Sequence, residues 1–213
     1  ELLTIKADLA FADGRAEAAM ALIDQAVRLE PGDPRPRLSR ARAALAAADP
    51  ALQAEGQAAL EGILKEHPYL AEPRILLAEQ RRRQGDPAGA AEHYAALARQ
   101  DPERVEFQIE LGNLLLAAGQ HDQLKTLLEQ AATKWPDRPE WLRLQAASFE
   151  ARGHFAEATR RWQKVCAASP DDTARLRYLH CLVALGGFQE AWTVYGQVAP
   201  AAGAEPAPDW LRS

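Results

Sequence analysis

The sequence predicts an all-α fold, a solenoid of about six helix–turn–helix repeats, on three observations. Four glycines, Gly85, Gly119, Gly153 and Gly187, stand 34 residues apart. Four prolines, Pro68, Pro102, Pro136 and Pro170, keep the same interval. Between these marks apolar residues recur with helical spacing, as in Ile75, Leu76 and Leu77, then Leu111, Leu114 and Leu115, then Leu124, Leu127 and Leu128. No stretch alternates with a period of two, so no strand is assigned.

Each mark has a physical reason. A glycine between two helical segments supplies the left-handed residue that ends a helix. Proline lacks the N–H that would continue one, and it suits a first turn. Ala78, Gly112 and Ala146 form a register of small residues that lets two backbones approach, with His180 as its exception. Ala90, Leu124 and Ala158 form another, and the large residues Tyr94, Leu128 and Trp162 a third. Gly14, Ala19, Ile23, Ala26 and Pro31 fit an earlier copy, with Ala7 at its small position. The pairs Asp49-Pro50, Asp86-Pro87 and Asp101-Pro102 read as helix N-caps followed by proline at the first helical position.

Together these registers resemble the tetratricopeptide repeat, a 34-residue helix–turn–helix unit. The resemblance covers residues 1–198, with copies at about 1–33, 34–70, 71–104, 105–138, 139–172 and 173–198. The second copy departs from it. Ala41 to Ala78 and Pro31 to Pro68 are each 37 residues, so three extra residues are expected near Ala47–Pro50, lengthening a turn or a helix end. In the sixth copy Gly186-Gly187 allows two registers, and Ala191 and Tyr195 fit better if the preceding helix is one residue shorter. Residues 199–213 read as an Ala/Pro linker. Within them Pro208-Asp209-Trp210-Leu211-Arg212 echoes Pro139-Glu140-Trp141-Leu142-Arg143, so either a seventh copy starts there or Trp210 folds back as a cap.

The resemblance implies a right-handed superhelix with the first helix of each pair lining a concave groove. It puts Arg35, Leu38, Arg42, Glu72, Ile75, Glu79, Arg82, Arg83, Glu106, Ile109, Asn113, Leu116, Arg143, Glu150, Arg177 and Cys181 inside. Arginines there would grip carboxylates, and the apolar side chains would suit an extended or helical peptide of another protein. In chaperone-binding members a lysine precedes the asparagine of the carboxylate clamp by one turn. Asn113 has Ile109 there instead, so that clamp is incomplete.

Composition narrows the remaining choices. The chain has 213 residues, 26% charged and 47% hydrophobic, with net charge −5, which speaks against nucleic acid as a partner. No run approaches the roughly 18 apolar residues of a membrane span. A soluble protein of bacterial cytoplasm or periplasm is expected, the Ala-, Arg- and Leu-rich composition pointing to a GC-rich genome. Leu2, Leu3, Ile5, Leu9 and Phe11 make the first helix too apolar for a free end, implying further chain upstream or self-association there. Arg81-Arg82-Arg83 is the one basic run, read as favourable charge at a helix C-terminus. Cys166 and Cys181 are expected as free thiols. His67, His93, His121, His154 and His180 have no zinc spacing, although His180-Cys181 with Cys166 is a thin metal candidate. Of the serines, Ser39, Ser148, Ser169 and Ser213, none sits in a nucleophile elbow. No cofactor and no enzyme is expected within these residues. Two functions stay open: a scaffold binding another protein, in envelope or complex assembly, or the substrate-selecting arm of a larger enzyme.

Overall fold

The computed structural model describes residues 2–136, 138–169 and 171–198. Every regular element among them is a helix. The chain divides into two compact units, residues 1–107 and 108–213. The first holds α1 (Leu2–Ala12), α2 (Ala16–Leu29), α3 (Pro34–Ala46), α4 (Pro50–Glu66), α5 (Ala71–Arg83), α6 (Pro87–Gln100) and the start of α7 (Val105–Ala117). The second holds the rest of α7, then α8 (His121–Lys134), α9 (Pro139–Ala151), α10 (Phe155–Ala168), α11 (Asp172–Ala184) and α12 (Phe188–Val198). The fold is an α-solenoid of helix hairpins. Odd-numbered helices are the first of each pair and even-numbered helices the second.

Small residues set the closeness of each pair. The partners at matched positions are Ala7 with Ala19, Ala41 with Gly56, Ala78 with Ala90, Gly112 with Leu124, and Ala146 with Ala158. Apart from the two glycines, these side chains are at most 1% exposed. Their sizes compensate. Where α7 offers Gly112, α8 can offer Leu124, whose Cδ1 lies 3.7 Å from where a Cβ on Gly112 would stand. Where α3 offers Ala41, α4 has no side chain at all, because a Cβ on Gly56 would lie 2.9 Å from the Ala41 carbonyl oxygen and 3.0 Å from Ala44 Cβ. Around these contacts Leu38, Leu45, Leu60, Ile63 and Leu77 form one core of the first unit. Trp162, Val165, Tyr178, Leu179 and Leu182 form the core of the second.

The three extra residues of the second copy lengthen a helix. α4 has 17 residues where α2, α6, α8 and α10 have 14, while α3 keeps the 13 of α5, α7, α9 and α11. The turn before it lacks glycine and stays extended at Ala47, whose carbonyl accepts from Gln53 Nε2 at 2.8 Å. Asp49 caps α4 by accepting the Ala51 N–H at 2.8 Å, and Asp86 caps α6 by accepting that of Gly89 at 2.8 Å. Asp33-Pro34 starts α3 in the same manner. Asp101-Pro102 does not start a helix. Asp101 ends α6 by donating its N–H to Leu97 O, and α7 begins three residues after Pro102.

The sixth copy settles on Gly186. Its φ is +75°, in line with +73° at Gly14 and Gly153, +74° at Gly85 and +67° at Gly119. Gly187 instead donates its N–H to Leu182 O at 2.9 Å, the bond that follows a left-handed helix end. Counted back from Gly186, the small-residue position falls on buried Leu179 rather than on His180, and Ala191 takes the place of Ala158. Trp162 and Trp141 are buried, Trp141 stacking on Trp135 at 6.1 Å. Trp192 is 49% exposed and stacks on Tyr195. Pro170 and residues 199–213, with Trp210, lie outside the described residues.

The close contact at Gly56 can be separated from ordinary helix propensity. Gly56→Ala is expected to lower stability by about 1–3 kcal/mol, because its Cβ meets rigid backbone. Gly62→Ala, in the same helix, is expected to raise stability by up to about 1 kcal/mol, its nearest neighbour being Arg37 Nη2 at 3.8 Å. Urea unfolding followed by circular dichroism reads both, and equal shifts in the two variants would contradict the steric reading.

Candidate functional site

The residues expected to line a groove fall into three groups. Leu38, Glu150 and Cys181 are corrected first, for all three are buried. Leu38 packs in the α3–α4 core, and Glu150 turns inward beneath α11.

The second group is consumed by ion pairs, several of them between successive first helices. In the first unit Arg42 on α3 pairs with Glu72 on α5. Arg35 Nε binds both oxygens of Asp33 at 3.0 Å, and Arg83 lies 4.0 Å from Glu79. In the second unit Arg143 on α9 pairs with Asp171, the N-cap of α11, and also reaches the Ser169 carbonyl at 3.3 Å. The Arg143 guanidinium, with the Ala174 N–H, holds the Asp171 carboxyl below the usual carboxylate range. That contribution is present at neutral pH and is lost as pH falls through the depressed value.

The third group remains outward. Ile75 on α5 and Ile109 and Leu116 on α7 are half-buried, while Glu106 and Asn113 are exposed. Arg82 is exposed in the last turn of α5, and its guanidinium has no ion pair among the described residues, unlike Arg81, which lies 3.5 Å from Asp86. On α1, Leu2, Ile5 and Leu9 form an exposed apolar stripe.

Glu150 is the centre of the strongest polar cluster. Its Oε2 accepts from Trp162 Nε1 at 3.0 Å. Its Oε1 accepts from Arg177 Nη1 at 3.2 Å and meets His180 Nδ1 at 2.9 Å. A buried indole needs an acceptor, and a buried carboxylate needs cationic donors, so each residue accounts for the others. Comparing copies position by position could have found this. Arg82, Leu116 and Glu150 share one repeat position, and Tyr94, Leu128 and Trp162 share another, so the acid occurs in the copy that buries an indole.

One metal-type arrangement occurs among the described residues, and it differs from the expected one. Glu150, His180 and Cys181 bring one ligand atom each within 4.8 Å of one another, with Glu150 in place of Cys166. Arg177 already neutralises Glu150 there. The Cys181 thiol is pushed up to about 12, first by burial and then by Glu150. This donor set is balanced without a cation. Both cysteines are free thiols.

Known proteins share this arrangement of helix hairpins. Residues 81–147 match the model of the tetratricopeptide repeat family. Among solved structures it is similar to a tetratricopeptide repeat protein from Parabacteroides merdae, at TM-score 0.72 and 17% identity, over 99% of this chain and 82% of that one. It is also similar to PilW, described as a widely conserved type IV pilus biogenesis factor, at TM-score 0.67 and 18% identity, over 99% and 96%. A third likeness is to a chain of the Naa15/Naa10 assembly bound to HypK, at TM-score 0.59 and 13% identity, over 91% of this chain and 30% of that one. Identities this low carry the fold alone. No curated protein matches the chain.

Two outcomes follow from the cluster. Glu150→Ala strands the buried Trp162 N–H and Arg177→Ala takes a cationic donor from the buried carboxylate, so each is expected to cost roughly 1–3 kcal/mol in urea unfolding. Iodoacetamide at neutral pH is expected to label half-buried Cys166 slowly and Cys181 only on unfolding, because burial disfavours both thiolates. Mass spectrometry of the intact chain reads the order, and fast labelling of Cys181 in the folded state would contradict its burial.

Proposed function

We propose that this chain is a non-enzymatic scaffold that binds a peptide or helical segment of another protein along the outward side of its first helices. The observation that carries this reading is the contrast within that side. Most of its charged residues are spent on one another, while Ile75, Ile109 and Leu116 stay partly open and Arg82 keeps an unpaired guanidinium among the described residues. An apolar anchor and a free arginine on one helix, as at Ile75 and Arg82 of α5, suit an amphipathic segment that carries a carboxylate. A role in bacterial envelope or complex assembly fits the likeness to a pilus biogenesis factor. A second reading, the substrate-selecting arm of a larger enzyme, is favoured by one observation, that the Naa15/Naa10 likeness occupies 30% of a longer chain.

Photo-crosslinking residues at positions 75 and 109 are expected to capture a partner from native lysate, while the same residues at Glu92 and Gln130, exposed on second helices, capture none. Arg82→Glu with Arg83→Glu is expected to weaken that capture about tenfold, as loss of charge-assisted bonds does. Capture from positions 92 and 130 alone would move the binding surface to the second helices.

A further inference from the structure

We propose a second docking surface, a basic cleft in the unit formed by residues 108–213, and assign to it an acidic, Asp/Glu-bearing peptide segment of a partner protein. The cleft has a volume of about 400 Å³ and lies among α8, α9 and α10. Phe149 is its floor. The Arg161 guanidinium carbon sits 4.3 Å from the ring centroid and that of Arg152 4.9 Å, with the His154 ring 6.2 Å away. Lys125 stands on the wall.

Both guanidiniums are held without being neutralised. Arg152 Nε donates to the Ser148 carbonyl at 3.2 Å, and Arg161 Nε donates to Gln145 Oε1 at 3.4 Å. Neither has a carboxylate within ion-pair distance among the described residues. Glu129 is the one acid in the lining, and Lys125, at 3.9 Å, offsets it. Stacking on a ring fixes the plane of a guanidinium and leaves N–H groups free for a forked contact with a carboxylate. The lining is therefore net positive in a chain of net charge −5. Acidic peptide is repelled by the average surface and drawn to this one, a charge complementarity that selects position as well as partner. The concavity and its apolar floor suit a peptide better than a free ion, since they also cover a side chain next to the acid.

Repeat positions show that the basic lining is a property of this copy and not of the fold. The first unit carries a cleft of about 240 Å³ at the equivalent position. There Ala44, Ala47 and Ala59 stand where Phe149, Arg152 and Arg161 stand in the second. The same backbone geometry is mostly apolar in one place, where Arg40 and Glu55 offset one another at 3.6 Å, and carries unneutralised arginines in the other.

The test uses residues 1–213 and fluorescence anisotropy at low salt, with a fluorescein-labelled Glu/Ala decapeptide as probe and a Lys/Ala decapeptide as control. Binding of the acidic probe alone is expected, weakening with salt. Arg152→Gln with Arg161→Gln is expected to weaken it about tenfold or more, while Arg82→Gln with Arg83→Gln, which tests the first-helix reading, leaves it within about twofold. Arg152→Lys with Arg161→Lys keeps the charge and the fold and is expected to lose severalfold, because lysine cannot stack and fork as arginine does. No binding by the unaltered chain, equal loss in the Gln pairs, or undiminished binding by the Lys pair would overturn the proposal. Displacement by inorganic phosphate at the same charge concentration would also overturn it, reducing the cleft to a small-anion site.

Discussion

Close approach of two helix backbones within each hairpin is the contact on which the other features depend. It requires a small residue on at least one of the two facing helices, and the copies meet that requirement in different ways. Ala7 and Ala19, Ala78 and Ala90, and Ala146 and Ala158 use two methyl groups. Ala41 faces Gly56, and Gly112 faces Leu124. Leu179 faces Ala191 in the last pair. Packing this tight transmits any volume change directly, which is why the interior tolerates exchange between partners better than addition at one of them.

A fixed hairpin leaves charge to link one repeat to the next. Arg42 reaches from α3 to Glu72, Arg143 from α9 to Asp171, and Arg177 from α11 to Glu150. The exposed pairs among these add little stability singly, but each uses up a charge on that side. The side expected to be richest in binding arginines is thus mostly self-satisfied. Among the described residues Ile75, Ile109 and Leu116 are half-buried and the Arg82 guanidinium has no ion pair.

Much of the fold was legible because its determinants are periodic. Turn glycines, small positions and prolines repeat at a fixed interval, and even the irregular second copy betrayed its three extra residues by spacing. The errors came where one residue type serves two geometries. Gly187 kept the interval while Gly186 took the left-handed turn, and the single step moved His180 off the small position. Asp101-Pro102 has the letters of a helix start, yet the proline occupies the inter-repeat turn and the aspartate ends the helix before it. The candidate site was less legible, because orientation about a helix axis decides it. Leu38 and Ile75 share a repeat position, and one is buried while the other is half-open.

Repeat-equivalent positions therefore divide into two kinds, and the division explains why function is hard to read from this family pattern. Positions that hold the hairpin keep a small residue on at least one of the two helices and reveal the fold. Positions that do not are free to diverge, and they diverge together. Leu116 and Leu128 occupy in the fourth copy the two places that Glu150 and Trp162 occupy in the fifth, an apolar pair against a hydrogen-bonded one. Ala44, Ala47 and Ala59 likewise correspond to Phe149, Arg152 and Arg161. A change at one such position alone would bury an unpaired acid or leave an arginine without a ring, so the substitutions are physically coupled. Coupled departures from the repeat, rather than the repeat itself, are what give one copy a side-chain chemistry that the others lack.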